Sequence, residues 1–496
     1  MIDILICGGM VVDGTGKPAE KVSVAIVGEN IDAVGNLGQI EAKTIINADG
    51  LIVAPGFIDV HNHAHNEMDG GILNIPDADN MIRQGVTTVV AGNCGGSSFP
   101  MRKHLDAVEK VDIRQNYSTL VGYNTIRREA LKESGHRNPD SNDKKRMSEL
   151  LAQSLDEGAI GMSTGMPSAS FGADEISSVI RPLVERGRTC ASHIRSEGRH
   201  CLEAIAELLE VGERTGASVQ ISHLKTFGPP GWDKLEQMFD MIEKARSRGV
   251  DVLCDRYPYI GAFSGLQRLM PGWAWTWANE HGGRESLKSN DVPKKLHEEI
   301  NENIADIGGA DRIVFAPLVP VPEIDGKTVA QVAAEENKSH PEVVIHWILH
   351  GGISVIWLAM REDNLQAILK HPMVMVASDG HLRVFGKGIS HPRNFGTFPR
   401  VLGKYVREEK LFSIEEGIHK MTAMPAKKLG FKDRGIIKKG LIADLVVFDQ
   451  ENVIDKATFE NGSQYPVGIK YVIVNGKIAV ENEKTTSEKA GKILRA

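Results

Sequence analysis

No run of about 18 consecutive apolar residues occurs in this chain, which excludes a membrane-spanning helix on length alone. Long blocks of Lys and Arg are also missing, so nucleic acid is not an expected partner. The short basic groups Arg127-Arg128 and Lys144-Lys145-Arg146 read as solvated helix faces. The first residues, Met1-Ile2-Asp3-Ile4-Leu5-Ile6-Cys7, show no basic segment ahead of a signal-type apolar stretch. Cysteine is scarce: Cys7, Cys94, Cys190, Cys201 and Cys254 are all there are, and they have no paired spacing. An odd count without an export signal argues against a disulfide framework and for a reducing compartment, the cytoplasm. One of the five can then be kept for chemistry. Internal repeats and low-complexity tracts are absent as well.

What is present is 496 residues, 41% hydrophobic, enough for one large core or two modest ones. A net charge of -7 and a pI near 6.2 describe an ordinary soluble acidic protein.

The chain changes texture twice. Near the N-terminus, Val22-Ser-Val-Ala-Ile-Val27, a Gly28-Glu-Asn30 turn and Ile31-Asp-Ala-Val34 read as short strands, and residues 45–53 repeat the idea around Asp49-Gly50. Residues 443–448, 469–474 and 478–480 have the same character. The last two are separated by Asn475-Gly476, a hairpin signal because both turn residues must tolerate positive φ. Both ends are therefore expected to build one small sheet domain. Between them, apolar runs alternate with helical patterns at residues 54–60, 86–91, 118–121, 159–162, 190–192, 219–222, 250–253 and 374–377. Eight such runs fit a (β/α)8 TIM barrel better than an open sheet. Two further runs lie between the seventh and eighth. Ile313-Val-Phe315 belongs to an insertion over about 261–341 that could form a lid, and Ser354-Val-Ile-Trp357 stays unplaced between that insertion and the last strand.

Metal-competent residues collect at the C-terminal ends of these runs, where a barrel places its active site. The first ends in His61-Asn62-His63. On an extended chain positions i and i+2 face the same way, so both imidazoles can reach one ion. The second ends in Gly92-Asn93-Cys94-Gly95-Gly96. The ordinary role of a cysteine is a small buried hydrophobe, but one exposed by glycines just past a strand can offer a thiolate to zinc. The fifth ends in Ser192-His193 and the sixth in Ser222-His223. A lone histidine at such a place is more often a hydrogen-bonded structural residue, whereas two in near-matching contexts on neighbouring strands point to ligation. The eighth ends in Ser378-Asp379-Gly380. An isolated Asp-Gly is usually a turn, but here the carboxylate emerges at the same mouth, where a base is still needed. Nitrogen and sulfur donors favour zinc over magnesium or calcium.

With these residues in place, the chain resembles the amidohydrolase superfamily, and within it the D-aminoacylase (N-acyl-D-amino-acid deacylase) family. The resemblance rests on the histidines and aspartate just named and on Asn93-Cys94-Gly95. Further family-like segments are His193-Ile-Arg-Ser-Glu-Gly198, Asp255-Arg-Tyr-Pro-Tyr259, Met270-Pro-Gly-Trp273, His391-Pro-Arg393, Gln464-Tyr-Pro-Val-Gly468 and the 490–495 tail. Cyclic-amide relatives carry a carboxylated lysine on strand four, and this strand, Gly158-Ala-Ile-Gly-Met-Ser-Thr-Gly165, has none.

The resemblance implies a (β/α)8 barrel over 55–430 beside a small β-sandwich built from both chain termini, 1–54 and 431–496. It implies that Cys94, His193 and His223 hold a tight zinc. His61, His63 and Asp379 would line a second, weaker site that shares Cys94. Lys225, Tyr257 and Arg393 correspond to positions that hold the substrate carboxylate. Ser264 corresponds to a serine contact, with one extra residue of spacing after Tyr257-Pro258-Tyr259. The chain departs from the pattern at Ala64-His65-Asn66, where acidic residues are usual and His65 reads as an exposed loop residue. It departs again at Met166-Pro-Ser-Ala-Ser-Phe171, which is short and lacks a tyrosine. Both changes bear on side-chain preference.

The implied reaction is zinc-dependent hydrolysis of N-acyl-D-amino acids with Asp379 as the catalytic proton shuttle and a small-molecule substrate as partner. The rival readings are an amidohydrolase for D-dipeptide-like or cyclic amide substrates, and a metal-binding barrel without catalysis. The missing strand-four lysine counts against a cyclic substrate, and the intact Asp379 counts against an inert barrel.

Overall fold

Alternate residues of one parallel strand series feed two different cores, and this alternation organises the centre of the molecule. The computed structural model describes residues 1–38, 40–65, 71–132, 137–167, 169–289 and 291–495. The series runs in chain order: β1 (Phe57–Asp59), β2 (Val86–Ala91), β3 (Asn116–Thr119, resuming as Val121–Gly122), β4 (Gly161–Gly165), β5 (Thr189–His193), β6 (Ser218–Ile221), β7 (Val252–Arg256) and β8 (Val374–Val376). Each pairs in parallel with the next. Leu120, in the interruption of β3, still donates its N–H to Ala91 O at 2.9 Å. Beyond the two outer strands, Asn62 and Gly380 form a parallel bridge, and Asp379 N donates to His61 O at 2.8 Å.

Side chains alternate across a strand. Phe57, Val89, Val374 and Val376 accordingly join the large core with the surrounding helices. Ile58, Val90, Leu120, Ile160, Ala191 and Met375 meet one another in a separate cluster, closed off by Met424, Ala426 and Leu429 of the helix Ala423–Leu429. Each fully buried Ile, Val, Leu or Met side chain among them contributes about 1.5–3 kcal/mol. The overall class is mixed α/β.

Both chain ends enter one seven-stranded sheet. Leu445–Phe448 lies antiparallel to Ile52–Pro55 on one side and Ile469–Val474 on the other. A four-stranded sheet, Asn30–Gly35, Ser23–Val27, Ile2–Cys7 and Ala42–Asn47 in order, shares its apolar side through Ile4, Ile26, Val53, Val447 and Ile473. The expected turn has Asn475 at φ 47° and Gly476 at φ 75°. A Cβ on Gly476 would stand 2.0 Å from Gly28 O, so glycine is required there for space as well.

Between β7 and β8 the chain leaves the parallel series. Ala262–Gly265 and Ile313–Phe315 flank Ser354–Trp357 in an antiparallel sheet, which gives the previously unplaced run a central position. Helices Gly272–Glu280, Lys295–Ile307, Val329–Glu336 and His340–His350 accompany this sheet around a core of its own that includes Leu296, Phe315, Val343 and Trp357. That core continues past residue 341 to Met360.

Candidate metal centre

The exits of β1 and β8 are locked together before any ligand is placed. The buried Asp59 carboxylate accepts Ser378 N at 2.9 Å, Ser378 Oγ at 2.5 Å and Asn62 Nδ2 at 2.9 Å. Burial nevertheless pushes its pKa up, against these hydrogen bonds. The lock brings His61 and His63, two residues apart, onto one carboxylate: Asp379 Oδ1 lies 3.3 Å from His61 Nε2 and 3.0 Å from His63 Nε2.

At the exit of β2, Gly92, Cys94 and Gly95 all take positive φ. A side chain at Gly95 would strike Asn124 Oδ1 at 2.2 Å and Gly165 N at 2.4 Å, so only glycine lets the loop turn there. The turn carries Cys94 Sγ to 3.3 Å from His61 Nε2 and 3.7 Å from His223 Nε2. His193, ending β5, sets its ring perpendicular to that of His223 with centroids 4.4 Å apart, and its buried Nε2 has no hydrogen-bond partner. Cys94, His223 and Asp379 have φ of 55°, 38° and 50°, a strained backbone costing roughly 1 kcal/mol or more at each.

The expected ligands therefore meet in two groups that share Cys94. His61, His63, Cys94 and Asp379 form one, and Cys94, His193 and His223 the other; within each, the donor atoms all lie within 4.8 Å of one another. Burial pushes the Cys94 thiol up, yet the surrounding His61, His193 and His223 hold it well below its ordinary value. Burial also opposes the charge of Asp379, and Arg393 with the neighbouring histidines more than reverses this. His63 is raised to about 9, because its bond to Asp379 and the nearby Cys94 outweigh burial. A thiolate and a carboxylate kept ionised among buried imidazoles form a hole for positive charge, which a divalent cation fills in place of protons. The donor chemistry, the spacing and a His193 Nε2 without a hydrogen-bond partner, 3.7 Å from Glu197 Oε2, all fit zinc.

Two buried carboxylates that carried no role in the sequence reading support the ligands. Asp255 Oδ1 accepts His223 N at 2.8 Å and lies 3.3 Å from His61 Nδ1, while Oδ2 accepts Gln220 Nε2 at 2.7 Å. Glu197 Oε1 lies 2.8 Å from His223 Nδ1 and pairs with Lys225 Nζ. Asp255 and Glu197 thus place negative charge behind the His61 and His223 rings, where Lys225 Nζ also stands 2.7 Å from His223 Nδ1. The signal for Asp255 was its place at a strand exit. Reading the seventh strand as 250–253, where β7 is Val252–Arg256, hid it.

Lys225, Tyr257 and Arg393 converge. Lys225 Nζ stands 5.7 Å and Arg393 Cζ 4.8 Å from the Tyr257 ring centroid, and all three residues are buried. Tyr257 OH and Arg393 Nε have no hydrogen-bond partner. Ser264 Oγ accepts Trp357 Nε1 at 2.8 Å within the inserted sheet, and no other hydrogen bond of its side chain is seen among the described residues. It lies on the strand Ala262–Gly265.

His65, expected exposed, is half-buried. Its Nδ1 accepts Gly92 N at 3.0 Å, and burial lowers its pKa to about 3, so it braces the Cys94 turn as a neutral ring. Asn66 and Ser168, in the two segments that depart from the family pattern, lie outside the described residues. In the second segment, Met166 N donates to His193 O at 2.9 Å, and Arg195 holds Ala169 O at 2.8 Å.

The amidohydrolase family profile matches residues 44–282 and 296–480. The N-acyl-D-glutamate deacylase of Alcaligenes xylosoxydans xylosoxydans is 34% identical, covering 100% of this chain and 96% of that protein. The D-aminoacylase of the same organism is 33% identical, covering 99% and 97%. Among solved structures, the N-acyl-D-glutamate deacylase of Bordetella bronchiseptica, complexed with zinc and a phosphonate mimic of the tetrahedral intermediate, superposes with a TM-score of 0.86. It is 32% identical, with all of both chains covered.

Proposed function

The chain belongs to the amidohydrolase family, in its D-aminoacylase branch, and we propose that it hydrolyses N-acyl-D-amino acids with zinc at the Cys94 centre, releasing a carboxylate and a free D-amino acid. The observation that carries this reading is Cys94 shared between two ligand groups, with Asp379 in one of them and the Lys225, Tyr257 and Arg393 cluster alongside.

Bound zinc supplies Lewis acidity at the scissile carbonyl and lowers the pKa of water toward neutrality, roughly 7 in well-studied sites. Cys94, His193 and His223 are the tight ligands, and His61, His63 and Asp379 complete a weaker site. Asp379, kept ionised beside Arg393, takes the proton of the attacking water and returns it to the departing amine nitrogen, a poor leaving group until protonated. Tyr257 OH and Arg393 Nε have bonding capacity left for a substrate carboxylate, and Lys225 adds a cation beside them. Gripping that carboxylate at several points fixes which face of the amide meets the metal. Ser264 enters the grip only if its bond to Trp357 is exchanged for the substrate. β4 has no lysine, which counts against the cyclic-amide alternative.

The same reading extends to architecture. The parallel series β1–β8 with the Asn62–Gly380 bridge, and the inner cluster of Ile58, Val90, Leu120 and Met375, support a closed (β/α)8 barrel at about 55–430. The two terminal sheets and their common apolar side support a β-sandwich of 1–54 with 431–496, and the inserted unit is best bounded at about 261–360. None of the five cysteines is in a disulfide, which accords with a cytoplasmic setting, and no helix among the described residues is long and apolar enough to cross a membrane.

Chelated, metal-free protein tests the proposal. Hydrolysis of N-acetyl-D-methionine should vanish and return in step with added zinc up to one equivalent. Full activity in the metal-free protein would contradict it.

A further inference from the structure

A cavity of about 630 Å³ opens at the other end of the parallel strands from the metal centre. Ile160 and Arg188 line it, and they directly precede β4 and β5, whose far end carries His193. The span of β5 puts roughly 15 Å between the two places. Five cationic side chains border the cavity, Arg186, Arg188, Lys432, Arg434 and Arg495, with Asp433 as its single acidic residue. Such a concentration stands out on a chain whose net charge is -7.

Three of these cations are already engaged. Arg186 Nη2 pairs with Asp156 at 2.7 Å, and Arg495 Nη2 with Glu109 at 2.6 Å. Arg434 bridges Asp433, at 3.1 Å, and the buried Asp444. Arg188 and Lys432 have no carboxylate partner among the described residues, and the buried Arg188 Nε has no hydrogen-bond partner. Phe431 and Leu429 offer an apolar wall. The C-terminal tail also lines it, held where Leu494 N donates to Tyr117 O and Ser118 Oγ to Leu494 O, each at 2.8 Å.

We infer that this cavity binds a phosphate-bearing small molecule, its anionic group between Arg188 and Lys432 and its body against Phe431. A guanidinium fork and an ammonium point charge suit a phosphate of two or more charges. The volume lies within the range of small-molecule sites. Nothing in the proposed hydrolysis uses this end of the strands, so the ligand occupies it independently of substrate.

Isothermal titration of the zinc-loaded protein at constant ionic strength, with ADP and with inorganic phosphate, tests the inference. Saturable one-to-one binding that does not compete with N-acetyl-D-methionine is expected. Tighter binding of ADP than of phosphate is expected from the apolar wall, and equal binding contradicts the placement of the ligand's body against Phe431. The Arg188→Gln/Lys432→Gln double variant should weaken binding about tenfold or more and leave kcat/KM unchanged. If the double variant fails to fold, Lys432→Gln alone, at an exposed position, should still weaken binding severalfold. Lack of saturable binding, or binding that survives these substitutions or competes with substrate, overturns the inference.

Discussion

Arg393 donates from Nη1 to Asp379 Oδ2 at 2.7 Å, and both side chains are buried, so the group assigned to grip the substrate and the group assigned to move the proton form one ion pair. Replacing either disturbs the other. Asp379→Asn should keep the tight zinc while losing about 10²-fold or more in rate. Arg393→Ala should raise KM and also lower kcat, because it removes a carboxylate grip and leaves Asp379 without its cation. The double variant should fall well short of the summed effects. Steady-state kinetics of the three variants measures this, and strict additivity would show that the two act separately.

Because Cys94 is common to both ligand groups, its loss differs from the loss of a peripheral ligand. Protein purified without added metal should contain one zinc, with a second bound only at higher metal concentration. Cys94→Ala should empty both sites, whereas His63→Ala should spare the tight one. Elemental analysis decides the matter, and a Cys94→Ala protein that retains one tight zinc would contradict the assignment.

Asp255 connects β7 to two ligands through His223 N and His61 Nδ1. Asp255→Asn keeps the shape but removes the negative charge behind His61. Loss of such a supporting carboxylate commonly costs about 10–100-fold in metal affinity or activity. A chelator-competition titration should show weaker zinc binding, and unchanged affinity would mean that the backbone alone positions the histidines.

His104, which is not among the proposed metal ligands, gives a pH-dependent stability term. Its Nε2 meets Tyr117 OH at 2.9 Å, and burial lowers its pKa to about 4 from an ordinary 6.5. Between these values the unfolded chain binds more protons than the folded one. The contribution is therefore fully present above about pH 6.5 and lost as pH falls toward 4, on the order of 3 kcal/mol at most. In urea melts at about pH 7 and about pH 4.5, His104→Gln should lose less stability on acidification than the parent protein. Equal losses would remove His104 from the account.

How far the sequence could be read depended on what bounded each element. β2 was expected at 86–91 and is Val86–Ala91, because its apolar run sits between Gly85 and Gly92, both at positive φ. β7 was missed by three residues at its end because Asp255 and Arg256 are buried polar groups that resemble the start of a loop. Ser354–Trp357 could not be placed because its partner strand Ala262–Gly265 is about ninety residues away, and pairing at that range leaves no local pattern. The six residues that meet around Cys94 were legible as a group because strand exits recur at the same end of the series. Glu197 and Asp255 were not assigned, since their task depends on which ring nitrogen faces which carboxylate, and that is a property of packing.

The most direct test compares N-acetyl-D-methionine and N-acetyl-D-glutamate with their L enantiomers on the zinc-loaded protein, measuring the released amino acid. Lys225, Tyr257 and Arg393 come from separate parts of the chain and converge on one ring, so an inverted α-carbon would displace the scissile carbonyl from the metal. Misplacement by about 1 Å can cost on the order of 10²-fold in rate. The account therefore requires hydrolysis of the D forms with a D-over-L preference of about that size or larger. Equal hydrolysis of both enantiomers, or none of the D forms, would contradict it.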